Sequence, residues 1–119
     1  MKKIYLFLFF YFIIQTCCIG QKIEQEAIEL RDFYKELNYI PDSGYVSSKE
    51  IAIKLAKVIL ESIYGESIKA KSLTFEAILI ENESIWVVYG KRAKGIFGGN
   101  PYIEIRKRDG QILKVANSK

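Results

Sequence analysis

The sequence predicts an α+β domain in which amphipathic helices pack on one face of an antiparallel sheet of about four strands. Three observations carry that prediction. Apolar residues recur at helical spacing from Ile51 to Ile63. From Leu73 onward the apolar period drops from 3.6 to 2. Turn-forming residues then divide the remainder into short runs of strand length.

The first twenty residues stand apart from this fold. Lys2 and Lys3 precede an apolar run, Ile4 to Ile14, and the small residues Cys18 and Gly20 sit just before Gln21. That is the layout of a secretory signal peptide, and the run is too short for a bilayer-spanning helix, which needs about 20 residues. The expected organisation is a signal peptide over 1–20, an N-terminal helix over 21–38 and an α+β domain over 39–119. The protein is expected to be exported, periplasmic or extracellular, with no membrane contact after cleavage. Both cysteines, Cys17 and Cys18, would leave with the signal, which excludes structural disulfides and thiolate metal sites from the mature chain. A lipid anchor on Cys17 or Cys18 is the lesser alternative, because Gln15 and Thr16 are poor matches for the small residues such a site wants upstream. There is no histidine, which removes the usual general base and the commonest metal ligand. No cofactor is expected.

Within the mature chain, Ile23, Ala27, Leu30, Phe33, Tyr34 and Leu37 keep helical spacing over Lys22–Leu37. Pro41 and Gly44 break it, since proline pushes its predecessor out of the helical region and glycine admits positive φ. The second helix has a capping box, Ser47 with Glu50. Its apolar stripe is Ile51, Ala52, Leu55, Ala56, Ile59 and Ile63, and Gly65 after Tyr64 stops it.

The first strand places Leu73, Phe75, Ala77 and Leu79 in alternation with Thr74, Glu76, Ile78 and Ile80. Glu81-Asn82-Glu83 turns the chain into a second strand over Ile85–Tyr89. The third and fourth strands are Tyr102–Lys107 and Gln111–Val115. Asp109-Gly110 between them suits a tight hairpin with positive φ at its centre.

Charge is uneven along these elements. Residues 21–90 hold eight Lys/Arg against twelve Asp/Glu, a balance of −4, and residues 91–119 hold eight against two, a balance of +6. The basic third lacks the interleaved aromatics of single-strand binders, so nucleic acid is not expected as a partner. A solvated strand face, turned toward an acidic protein, fits better.

The stretch GIFGGNPYIEI, Gly95 to Ile105, is the one glycine-rich segment. A phosphate-cradling loop follows a strand and opens a helix, whose free amides meet the anion. Here the glycines precede a strand, so the loop is expected to steer the chain between strands. Pro101 guards the start of the next strand, and Ile96 and Phe97 stand at an exposed tip where apolar residues suit a partner protein.

The ordered succession of Ala52-Ile53, Tyr64-Gly65, Trp86-Val87-Val88, Gly90, Gly98-Gly99, Tyr102-Ile103-Glu104-Ile105, Asp109-Gly110 and Ile112 resembles the immunity proteins with a nuclear transport factor 2 fold, the YbbC/YhhH group of bacterial polymorphic-toxin systems. The likeness covers about Tyr39 to Val115. It implies a cone-like α+β fold with a curved sheet wrapped on helix, no catalytic residues, and a task of binding and neutralising a cognate toxin. Such an inhibitor needs a rigid surface with aromatic and arginine anchors. The candidate partner-binding residues are Arg92, Ile96, Phe97, Tyr102, Arg106 and Arg108, and the protein is expected to act as a monomer.

Two other functions compete. An enzyme using a cone cavity would draw on Glu76 or Glu104 with Tyr89 or Tyr102 as proton-moving groups. The helix plus YIEIRKRDGQILKV is also similar to secreted PepSY modules that restrain peptidases, although the spacing from Trp86 to Gly99 fits that pattern less well. Trp86 itself, alternating with apolar neighbours, is expected to pack in the core.

Overall fold

The computed structural model describes residues 2–69, 73–95 and 98–118, with side chains from residue 18 onward. The chain forms two compact units, one ending at Tyr39 and the other beginning at Ile40. The first is a single helix, α1, Lys2–Tyr34. The helix predicted over Lys22–Leu37 is therefore part of a longer one that passes through Gly20 without a break and stops at Tyr34. Leu37 then donates its amide to the Tyr34 carbonyl at 2.9 Å, an i→i−3 bond that tightens the last turn. Ile23, Leu30 and Phe33 are more than half exposed along α1. Among the described residues no helix is long and apolar enough to cross a membrane.

Among its described residues the second unit carries α2 (Lys49–Tyr64), a 3-10 turn (Gly65–Lys69), and four strands: β1 (Leu73–Ile80), β2 (Ile85–Arg92), β3 (Asn100–Arg106) and β4 (Ile112–Ser118). They form one antiparallel sheet in the order β1-β2-β3-β4. Each strand lies beside its predecessor because every connection is a short turn or loop. The α+β architecture read from the sequence is the one observed.

Helix α2 begins one residue later than expected. Ser48, extended at φ −136° and ψ 159°, is the N-cap, and its hydroxyl accepts from the Ile51 amide at 3.3 Å. The reason lies upstream. The amides of Tyr45 and Val46 donate to the carbonyls of Arg108 and Lys107 at 3.0 Å each, so the chain is held to the hairpin until Val46 has reached the core. That places Ser48 at the cap and leaves Ser47 outside it. At the other end Gly65 has φ +71° and donates to the Glu61 carbonyl, closing the helix as expected.

The face that α2 turns to the sheet is narrower than the predicted stripe. Ala52, Ala56 and Leu60, at i, i+4 and i+8, are fully buried, whereas Ile51, Leu55 and Ile63 on its flanks are exposed. The two alanines let the helix backbone approach β1, β2 and β3 closely, and this crowds the larger flanking side chains outward. Across from them lie Leu73, Ala77, Trp86, Val88, Ile103 and Ile105, all buried. Burying Leu60 completely contributes about 2–3 kcal/mol.

Trp86 packs in this core, as expected, with its indole N–H donating to the Val46 carbonyl at 2.8 Å. Gly90 is also buried, and a Cβ there would sit 2.8 Å from Leu73 Cδ1 and 2.9 Å from Pro101 Cγ. The position needs glycine because two side chains from neighbouring strands close over it.

The β3–β4 connection is one residue wider than the expected Arg108–Gly110. The Arg106 amide donates to Gln111 and the Gly110 amide to Arg106, so four residues, Lys107 to Gly110, form the loop. Only Gly110 has positive φ, +74°. The extra width turns the Lys107 and Arg108 carbonyls outward to hold Val46 and Tyr45. Gly44, at φ +80°, passes so close that a Cβ on it would overlap the Lys107 carbonyl.

Candidate functional site

The sheet has two faces of different chemistry. The face toward α2 is apolar and filled. On the other face the strand register lines up three rows: Glu76, Tyr89, Tyr102 and Ala116; Ile78, Val87, Glu104 and Lys114; Ile80, Ile85 and Arg106. Ile78 is 51% exposed and Ile80 37%. Ile85, Val87, Tyr89 and Tyr102 are half-buried. An apolar centre with two tyrosines and a charged border is the composition of a protein-binding surface.

Tyr102 and Glu104 are two residues apart on β3, so both side chains project from this face. The tyrosine hydroxyl donates to Glu104 Oε1 at 3.0 Å. Desolvation, then the hydrogen bond to Glu104 and its negative charge, push the Tyr102 phenol above its ordinary pKa. The hydrogen bond to Glu104 holds the Tyr102 ring in place. Lys91 stands over the Tyr89 ring, 5.6 Å from its centroid.

One end of the sheet is a corner where three loops meet. The turn after β1 and the hairpin after β3 are joined by the Lys107 amide, which donates to Ser84 at 2.9 Å, and the segment before α2 is tied to the same hairpin. Between them lies an open groove of about 770 Å³, bordered by Pro41, Glu81, Glu83, Ile85, Arg106 and Arg108 among others. Glu81, Asn82 and Glu83 all have positive φ, from 51° to 63°. Left-handed backbone costs a non-glycine residue roughly 1–2 kcal/mol. The Ser84 amide and hydroxyl, both donating to the Glu81 carbonyl, hold the turn in place.

Of the six candidate partner-binding residues, Tyr102 and Arg106 share the open face, and Arg108 stands beside Arg106 at the corner. Arg106 is held by Asp109 at 3.1 Å and by Gln111. The Asp109 carboxyl is lowered below its ordinary pKa by the Gln111 amide first, and by Arg106. Arg92 lies at the opposite end of β2, seven residues from Ile85, or roughly 23 Å along an extended strand. Its Nε donates to the Gly99 carbonyl at 2.9 Å, bracing the β2–β3 connection from inside. A Cβ on Gly98 would strike that guanidinium, and one on Gly99 would strike Asn117, so the glycine pair is there for close approach. Ile96 and Phe97 lie outside the described residues. Of the four described candidates, Arg106 and Arg108 stand at one end of the sheet, Arg92 at the other, and Tyr102 on the open face between them.

The proton-moving candidates Glu76, Tyr89, Tyr102 and Glu104 also lie on the open face. No polar or charged side chain is buried among the described residues. What the sequence reading missed is the apolar centre itself, Ile78, Ile80, Ile85 and Val87. The signal was present as apolar residues in both phases of the alternation along β1 and β2, but a single strand does not reveal which phase α2 covers.

Comparison with known proteins agrees with this architecture. A curated Escherichia coli K12 protein described as uncharacterized, YhhH, is 35% identical over 75 residues, which is 62% of this chain. The aligned part spans 58% of that protein's own length. No solved structure matches the chain significantly. The family model for NTF2 fold immunity proteins matches residues 51–119, a span holding nearly all of α2 and all four strands. The chain belongs to the NTF2 fold immunity proteins.

Proposed function

We propose that this is an exported immunity protein that binds a cognate bacterial toxin and neutralises it by covering a surface the toxin needs. The observation that carries the reading is the family match over 51–119, because that span contains the entire open face. The chemistry of the face supports it. Its centre offers exposed isoleucines and two tyrosines, its border offers charges of both signs, and its carboxylates stand in a hydrated surface where acid–base catalysis gains little. The protein then acts by shape as a stoichiometric inhibitor. The segment over 1–20 directs export and is removed after Gly20, leaving Gln21 as the mature N-terminus.

The contact surface in this reading is the open face and the adjoining corner, with Tyr102 and Arg106 as anchors. Arg92 acts indirectly by bracing its loop. Growth of cells producing the toxin encoded beside this gene, with and without the chain, tests the proposal. The native chain rescues growth, and the double variant Tyr102→Ala, Arg106→Glu loses rescue while remaining folded. Undiminished rescue by that variant would place the contact elsewhere, and absence of rescue by the native chain would refute the immunity role. Mass spectrometry of the mature protein reads the cleavage site.

A further inference from the structure

We propose that β4 is a docking edge, on which an extended segment of the partner protein adds as a fifth strand, alternating apolar and acidic residues. The proposal rests on the immunity reading and names how that partner is gripped. Among the described residues β4 has a neighbour, β3, on one side only. An edge strand leaves a row of backbone N–H and C=O groups unpaired, and proteins normally blunt such rows with proline, charge or bulges. Ile112–Ser118 contains no proline and a single charged residue, Lys114. The one irregularity of register lies at Glu104/Ile105, so Lys114 to Ser118 pairs regularly with β3. Ile112 and Leu113 are 36% and 37% exposed. α2 packs on β1, β2 and β3. At the opposite edge, β1, Lys49 of α2 reaches Glu76 at 3.8 Å and Lys57 stands 5.5 Å over the Phe75 ring.

Charge decides the occupant. A second copy of the chain would set one basic segment against another, since residues 91–119 hold eight basic and two acidic side chains, a balance of +6. Among the described residues Lys107, Arg108 and Lys114 enter no ion pair. Lys114 stands opposite Glu104 on β3 but forms no ion pair with it. An incoming strand with an acidic residue opposite Lys114 meets this positive field, while its apolar residues lie beside Val115 and Leu113. Main-chain bonds would supply affinity and the alternating side chains specificity.

Hydrogen exchange of the full chain tests this with two synthetic heptapeptides, one alternating Val and Glu and the other alternating Val and Lys. The Val/Glu peptide should slow exchange of amides in Ile112–Ser118 about tenfold, and the Val/Lys peptide should not. The Lys114→Glu variant, an exposed substitution that spares the core, should reverse that preference. Protection elsewhere, no protection, or an unchanged preference in the variant overturns the proposal. So does concentration-dependent protection of β4 in the chain alone, which would identify a second copy as the occupant. A toxin that binds without protecting β4 overturns the docking edge and leaves the immunity role standing. A toxin that does not bind sinks the immunity role, and the peptide arms still judge the edge.

Discussion

Replacing Trp86 with phenylalanine probes how the core holds the corner of the proposed surface. The indole N–H donates to the Val46 carbonyl at 2.8 Å, and both residues are buried, at 6% and 1% exposure. Phenylalanine keeps a ring in the site but removes the donor, leaving a buried carbonyl without its partner at a cost of about 1–3 kcal/mol. The smaller ring also leaves a void, which adds about 1 kcal/mol. The expected loss is about 2–4 kcal/mol. With a urea slope near 1 kcal/mol per molar for a domain of this size, the unfolding midpoint should fall by about 2–4 M. Exchange of the Tyr45 and Val46 amides, which bond the β3–β4 hairpin, should quicken beyond the global change, because the indole is what anchors their segment. A midpoint shift below about 0.5 M, or no selective effect at 45–46, would refute the claim that the indole ties the corner to the core.

Three further outcomes are expected. Gly90→Ala forces a methyl against Leu73 and Pro101 and should cost about 1–3 kcal/mol by thermal unfolding, whereas Gly95→Ala meets no atom within 4 Å and should lose stability through its positive φ alone. Ser48→Ala removes the cap that Ile51 uses and should cost about 1 kcal/mol, with Ser47→Ala nearly silent; equal effects would contradict the observed cap. Asp109, lowered by the Gln111 amide and Arg106, contributes stability that is complete above the ordinary aspartate pKa and is lost as pH falls through its depressed value. A carboxyl titration by NMR should therefore place Asp109 below a free aspartate, and Gln111→Pro, which deletes the amide, should raise it.

Much of the fold was legible because it is local. The change of apolar period after Leu73, the glycine after Tyr64 and the turn at Glu81-Asn82-Glu83 each reflect backbone preferences that act over a few residues. The cap, the width of the β3–β4 loop and the narrow buried face of α2 were misread for one shared reason. Each is set by a distant partner: Lys107 and Arg108 holding residues 45 and 46, and β1–β3 accepting two alanines instead of a broad stripe. The candidate site was legible in part. Tyr102, Arg106 and Arg108 fall on or beside the open face, while Arg92 is drawn inward by the Gly99 carbonyl.

The order of residues is enough to establish a capped helix before a four-stranded meander, a basic last third and a chain without histidine. Those properties belong to composition and to contacts a few residues apart. Which face of the sheet stays open, the meeting of Ile78, Ile80, Ile85 and Val87 on it, and the place of β4 at an edge emerge from long-range packing. Strand alternation has two equivalent phases, and the choice between them is made by where α2 packs, a contact that no local pattern records.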